Sequence, residues 1–334
     1  MGWMIPALPP ADLPVDLQGV AELCERLVLT AGVDPGAVRW AVGSGPAGEG
    51  WDCVLWPVGE LHGTPLVLKV PRRASARPLL HQEEAVLRHL GATGGELPMA
   101  VPAVLGAADG ALLLPWTPGR TAADLAGGGT AADAHRPASG RVAGDLAVML
   151  AAVHSLAAPQ IARNPVRGVP LVDRAAAFAR DLSRLGADPR VTGVRSRTMR
   201  LWAQGIQAER WSGRGLLLHG DPHPGNVIVP APGTADDRAV LIDWGDATTG
   251  DPASDLGGLL LHDPTGHALH AYREHARWDD IRRDDLWDAL VTRSWAWAAR
   301  LALALVTAYP EQEPLGACAR RFLAGDAVSR PDQP

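Results

Sequence analysis

A chain of 334 residues that is 47% hydrophobic and 20% charged holds enough apolar material for two core-forming domains and lies far from the composition of a disordered polypeptide. Its formal net charge of -6 leaves no basic footprint for a phosphate backbone, so no nucleic-acid partner is expected. The three cysteines, Cys24, Cys53 and Cys318, are odd in number and widely spaced. That pattern argues against a disulfide framework or zinc site and for a reducing compartment.

In chain order, the first ten residues carry neither a basic segment nor an apolar run of signal-peptide length, so a cytoplasmic, untargeted protein is expected. After a Pro-rich leader, Leu17 to Thr30 has helical spacing of apolar residues. The pattern then switches to strand-like runs at Val38–Val42, Trp51–Val58 and Pro65–Val70, the first two separated by the glycine-rich stretch Gly43–Gly50. The third run carries Lys69. Helical spacing resumes from Leu79 to Leu90 with Gly91 as its stop signal, and Ala111–Leu114 is the next strand.

Beyond Pro115 the pattern turns mainly helical, which places a lobe boundary there: an N-terminal lobe over residues 1–114, a C-terminal lobe over 115–328 and a disordered tail over 329–334. The Ala/Gly/Thr-rich stretch Ala122–Gly140 reads as a surface loop or frayed helix. Arg141–Leu156 and Leu171–Leu185 read as amphipathic helices, and Leu216–Leu218, Val227–Val229 and Val240–Ile242 as short strands. Tryptophan-rich helices follow Asp255. The most apolar stretch, Ser294–Ala308, contains Arg300 and falls short of the roughly 20 residues of a membrane span, so a buried helix and no membrane are expected.

Two of those strands flank His219-Gly-Asp-Pro-His-Pro-Gly-Asn226, and the third ends in Asp243-Trp-Gly. Moving a phosphoryl group from a nucleotide requires divalent metal held by oxygen ligands and a carboxylate that orients the attacking hydroxyl. Asp221, Asn226 and Asp243 supply such oxygens, two from one loop and one from the neighbouring strand. An HGD triplet alone is a common turn. The ordered set with Lys69 and Glu83 upstream is what argues for chemistry.

The stretches Leu217–Ile228 and Ile242–Leu256 resemble the signatures of the aminoglycoside phosphotransferase family, which is distantly similar to protein kinases. The resemblance covers residues 35 to 310. It implies an α+β, protein-kinase-like two-lobed fold, with an antiparallel sheet and one main helix in the first lobe and a larger, mainly helical second lobe. It assigns Asp221 as the catalytic carboxylate, Asn226 and Asp243 as ligands of Mg2+, Lys69 as the contact to the α- and β-phosphates, and Glu83 as its ion-pair partner, with Glu84 as the adjacent alternative. Leu112–Trp116 becomes the hinge whose backbone meets the purine, with Leu113 and Leu114 lining the adenine slot. The donor is ATP or GTP. No Walker motif is present, and Gly43–Gly50 departs from the protein-kinase glycine loop.

The implied activity is phosphorylation of a hydroxyl on a small molecule, an antibiotic of the aminoglycoside or macrolide type, by a monomer or homodimer. Val67–Arg73, Leu97–Pro102 and Ile242–Ala247 lean toward the macrolide branch, and Asn226 toward the wider family. A metabolic kinase for a sugar, choline-like or homoserine-like alcohol shares the same motifs. A nucleotide-binding pseudoenzyme would be marked by loss of Asp221, Lys69 or a metal ligand, and all are present. His219 is expected to brace the catalytic loop, and His223 to touch substrate or cap a turn. Asp251 and Asp255 are expected to accept backbone hydrogen bonds at a helix start. The tryptophans are expected mostly in the core, and Asp279, Asp280, Asp284, Asp285 and Asp288 at a solvated helix start.

Overall fold

A computed structural model of the chain describes residues 8–30, 37–93, 97–127, 136–185, 192–234, 236–278, 281–310 and 312–325. The expected tail from Ser329, Asp279, Asp280 and part of the Ala/Gly/Thr-rich stretch lie outside these.

The N-terminal elements are α1 (Leu17–Thr30), β1 (Val38–Trp40), β2 (Gly48–Glu49), β3 (Cys53–Leu61), β4 (Thr64–Pro71), α2 (Arg77–Ala92), β5 (Gly106–Ala108) and β6 (Ala111–Pro115). The strands form one antiparallel sheet in the order β1-β3-β4-β6-β5, with β2 on β3. Two hairpins pin its register. His62-Gly63 joins β3 to β4 and Asp109-Gly110 joins β5 to β6, each pair at positive φ, the twist that a two-residue hairpin needs.

Strand alternation then divides the sheet residues between two cores. Val54, Trp56, Val58, Leu66, Leu68 and Leu113 form one face, closed by Val20, Cys24 and Leu27 of α1. Val67, Leu112 and Leu114 lie on the other face with Leu80, Val86, Leu87 and Leu90 of α2. Glycine-91 does not stop α2. The helix runs to Ala92 and is closed by Thr93, whose Oγ1 donates to the Leu90 carbonyl at 2.7 Å.

The remaining elements are β7 (Gly119–Thr121), α3 (Ala122–Gly127), α4 (Arg136–Ser155), α5 (Ala175–Arg184), α6 (Thr192–Gln207), β8 (Leu216–Leu218), β9 (Val227–Pro230), β10 (Val240–Leu241), β11 (Thr248–Gly250), α7 (Ala253–His262), α8 (Ala268–His275), α9 (Asp284–Ala308) and α10 (Pro314–Ala324). Of the two expectations for Ala122–Gly140, loop or helix, both described ends are helical, and Ala122, Ala123, Val142 and Ala143 are buried there. Two short sheets, β10-β9-β7 and β11-β8, carry the loops of interest. Helix α9 is the one described helix long and apolar enough to cross a membrane. Within the fold it packs on α6, α7 and α10, and 61% of its apolar window is buried. The fold is α+β, two-lobed and protein-kinase-like.

The two lobes share a core. Leu80, Val86, Leu87 and Leu90 belong to the same apolar cluster as Leu146 and Leu150 of α4 and Trp244. The segment before β5 also crosses over, since Ala100 accepts from Leu241 N and donates to the Ala239 carbonyl, both at 2.9 Å.

Candidate active site

Strand β8 delivers the loop that carries Asp221. After three buried leucines, Gly220 sits at φ 92° with its Cα against the Asp246 carbonyl, where a Cβ would come within 2.1 Å of that oxygen. Only glycine makes this turn, and the turn brings Asp221 out of the core. The loop backbone is gripped from behind. Asp255, fully buried, accepts from His219 N at 2.8 Å and from Gly220 N at 2.9 Å.

His219 lies beneath the loop. Its Nδ1 accepts from Asp221 N at 3.2 Å and its Nε2–H donates to the Ile242 carbonyl at 3.0 Å, so both ring nitrogens are committed. Burial lowers its pKa, which suits a neutral brace. His223 caps the short turn Pro224–Asn226, its Nδ1 accepting from Gly225 N at 3.1 Å.

That turn orients Asn226. Its Nδ2 donates to the backbone carbonyl of Asp221 at 2.9 Å, and its own carbonyl accepts from Ile242 N at 3.0 Å. The next residue after Ile242 is Asp243, in the left-handed conformation at φ 66°, ψ 66°, at the N-terminus of the turn Trp244–Asp246. Asp and Asn tolerate this region better than most residues. The pairing of β9 with β10 therefore brings Asn226 and Asp243 to one edge.

Lys69 reaches the same edge from β4. Its Nζ lies 2.6 Å from Glu83 Oε2 and 2.8 Å from Asp243 Oδ1. Burial works against the charged ammonium, but Asp243 and Glu83 outweigh it and raise the pKa above its ordinary value. Lys69 in turn holds the Asp243 carboxyl below the usual range. The partner is Glu83, which is 1% exposed, while Glu84 pairs on the surface with Arg88.

Leu113 is not part of this edge. Lys69 stands opposite Leu112 and Val67 opposite Leu114, so Leu112 and Leu114 share the Lys69 face. Leu113 points the other way into the α1 core. In the segment expected to be the hinge, Pro115 has no N–H and Trp116 donates its own to the Pro65 carbonyl at 2.8 Å.

Several site neighbours carry no motif. Arg167, in the connection between α4 and α5, places Nη2 2.8 Å from Asp221 Oδ2 and 3.0 Å from Asp246 Oδ2. Cys53 lies on the Lys69 face of β3, two residues before Leu55, which stands opposite Lys69. Tyr309, which follows α9, is half-buried, and burial raises the pKa of its hydroxyl. Of the acidic run at the start of α9, Asp284 is paired with Arg273 and Asp285 with Arg283.

Two oxygens remain free to meet a cation. Asn226 uses its Nδ2 on Asp221, leaving Oδ1, and Asp243 engages Lys69 through Oδ1, leaving Oδ2 on a side chain 53% exposed to the cleft. Among the described residues no three His, Cys, Asp or Glu side chains form a cage. A pair of oxygens of this kind fits magnesium, which keeps waters and takes other ligands from nucleotide phosphates.

With this geometry in hand, residues 46–289, well over half of the chain, match the model of the phosphotransferase enzyme family, APH. The chain belongs to that family. It is accordingly an enzyme of the phosphotransferase class. Among solved structures it resembles macrolide 2'-phosphotransferase MphH from Brachybacterium faecium, at 21% identity over 95% of this chain and 100% of that one with a TM-score of 0.51. It also resembles macrolide 2'-phosphotransferase type I, at 20% identity over 94% of this chain and 99% of that one, TM-score 0.53. The GDP complex of wild-type aminoglycoside 2'-phosphotransferase-IIIa is similar at 16% identity over 94% of this chain and 100% of that one, TM-score 0.57. At these identities the likeness is one of fold. No curated protein matches the chain.

Proposed function

We propose that this phosphotransferase moves the γ-phosphate of ATP or GTP to a hydroxyl group of an antibiotic, an aminoglycoside or a macrolide, in the cytoplasm. The observation that carries the reading is the buried Lys69, bonded at once to Glu83 and Asp243, set at the same edge as Asn226 and the loop of Asp221. A lysine fixed in this way offers its remaining proton to phosphate oxygens without having to be ordered first. Asn226 Oδ1 and Asp243 Oδ2 would hold magnesium, which when bound offsets charge on the β- and γ-phosphate oxygens.

Asp221 is the residue placed to receive the acceptor. In a loose transition state a strong base gains little, so Asp221 orients the hydroxyl and takes its proton late.

The test is a coupled assay of nucleoside diphosphate release with magnesium, ATP or GTP, and a panel of aminoglycosides, macrolides and small alcohols. Turnover that depends on an antibiotic and yields a phosphorylated product by mass spectrometry is the expected result. Turnover only with small metabolic alcohols would move the chain to the metabolic arm of the fold. Failure of every acceptor would overturn the reading.

A further inference from the structure

Asp221 is more tightly held than its motif requires, and the hold comes from outside the motif. Arg167 makes three contacts to two carboxylates: Nε to Asp246 Oδ2 at 3.1 Å, Nη2 to Asp246 Oδ2 at 3.0 Å, and Nη2 to Asp221 Oδ2 at 2.8 Å. All three side chains are largely buried, at 18%, 28% and 20% exposed. The other basic side chain near that oxygen among the described residues is His223, whose Nε2 is 3.7 Å away. Lys69 is occupied by Glu83 and Asp243.

The loop that presents Arg167 is itself braced. Asn164 Oδ1 accepts from Val166 N at 2.9 Å and Arg167 N at 3.1 Å, while its Nδ2 donates to Asp246 Oδ1 at 2.9 Å. The backbone N of Asn164 donates to Thr248 Oγ1 at 2.9 Å, and the Gly168 carbonyl accepts from Asp251 N at 3.0 Å. Gly168 stands at φ 63°, where a Cβ would lie 2.7 Å from Leu218 Cδ1. The loop that carries Arg167 is thus seated on β11 and on β8, the strand that leads into the loop of Asp221.

We infer that Arg167 is a positioning residue for phosphate transfer, clamping Asp221 through Oδ2 so that Oδ1, which no described side chain engages, faces the acceptor hydroxyl. The inference rests on the function proposed above. A guanidinium stays protonated at any working pH, so Arg167 cannot take the acceptor's proton itself. In the step it supports, the acceptor oxygen bonds to the γ-phosphorus as the bond from that phosphorus to the nucleoside diphosphate breaks. The hydroxyl proton passes to Asp221 Oδ1 and then to water, and Arg167 exchanges nothing. A single-point hold on Oδ2 also keeps Asp221 and Asp246, two carboxylates that meet at one guanidinium, from repelling each other out of register. Burial opposes the charge on Arg167, but Asp221 and Asp246 together raise its pKa.

The experiment compares wild type, Arg167→Ala and Arg167→Lys with magnesium, nucleotide and the acceptor found active in the panel. It measures kcat, both KM values, thermal stability, and the response to millimolar guanidinium ion. Loss of orientation is expected to lower kcat of Arg167→Ala by about 100-fold with the nucleotide KM little changed, since misplacement of a reacting group by about 1 Å has that effect. Guanidinium ion should restore part of the rate in Arg167→Ala and leave wild type unmoved, and Arg167→Lys should fall between the two. Wild-type kcat in Arg167→Ala would overturn the inference while leaving the function standing. So would a loss that tracks unfolding in both variants and resists guanidinium. A wild type inactive with every acceptor would overturn the function, and the inference with it.

Discussion

Lys69 and Asp221 answer different demands. Lys69 is 8% exposed, a burial that an ammonium tolerates only with partners, and it has two. The choice of Glu83 over Glu84 is already written in α2: Leu80, Glu83, Leu87 and Leu90 follow helical spacing on the buried face, while Glu84 and Arg88 pair outside. Asp221 is different, because its backbone carbonyl rather than its carboxylate anchors Asn226. Asp221→Ala should therefore lower kcat by about 10²- to 10⁴-fold while magnesium-nucleotide affinity and circular dichroism stay near wild type. A variant with full turnover would sink the assignment. Cys53 offers a second check at this scale. Burial, with Asp243 and Glu83 on its side and Lys69 against, pushes its thiol up to about 12, and burial takes Cys24 to about 11. Both should stay protonated at mildly alkaline pH and label slowly with iodoacetamide until denaturant is added, as read by mass spectrometry.

At the scale of elements, the loop of Asp221 is held by partners that lie far from it in sequence. Asp255, in Gly-Asp-Pro-Ala-Ser-Asp, accepts backbone hydrogen bonds as expected, but from a distant loop rather than from the start of its own helix. It accepts from His219 N and Gly220 N and from His154 Nε2–H at 3.1 Å, while His154 Nδ1 takes the Tyr272 hydroxyl at 2.7 Å and Trp278 Nε1 donates to that hydroxyl at 3.0 Å. The neighbouring Asp251 behaves as expected and accepts from Ala253 N at 3.0 Å, but it also receives Arg293 on both oxygens. Asp255→Ala would strand several buried donors and is expected to destabilise the fold by about 3 kcal/mol, measured by chemical denaturation, with Asp255→Asn less affected. His262, on α7, donates Nε2–H to the Pro222 carbonyl at 3.2 Å, and burial lowers its pKa to about 4 from an ordinary 6.5. Since the unfolded chain takes up that proton first, the stability His262 contributes is complete above about pH 6.5 and is lost as pH falls toward 4. His219 shifts in the same direction, so His262→Gln should remove only part of the decline in Tm between those values. An unchanged decline would show that His262 does not titrate there.

For the whole molecule, the change from sheet to mainly helical elements after β6 is a change of architecture but not of core. One apolar cluster runs from Leu80, Leu87 and Leu90 through Leu112 and Leu114 to Leu146, Leu150 and Trp244. A fragment ending at Pro115 would expose that half of its sheet and helix to water. It should lack near-ultraviolet circular dichroism, whereas the full chain should unfold in a single transition by calorimetry. A fragment with fixed tertiary structure would contradict the shared core. Among the described tryptophans, Trp56, Trp244, Trp278, Trp287 and Trp297 are buried, and Trp51 and Trp116 are exposed.

Local sequence determined whatever depends on spacing and turn chemistry. Helical and strand periods placed α1, the main sheet and the strands around the motifs, because burial of one face acts over a few residues at a time. The motif order determined that Asp221, Asn226 and Asp243 would be brought to one edge, since β9 and β10 are adjacent in the chain and pair directly. What lies across the chain was decided only by the tertiary structure. Arg167 meets Asp221 through a loop that carries no pattern, and Asp255 grips the loop from a helix start. Leu113 turns away from the cleft because pairing with β4 sets which face each strand residue takes. These contacts join segments whose sequences give no account of each other, and only packing around a common core brings them within hydrogen-bond distance.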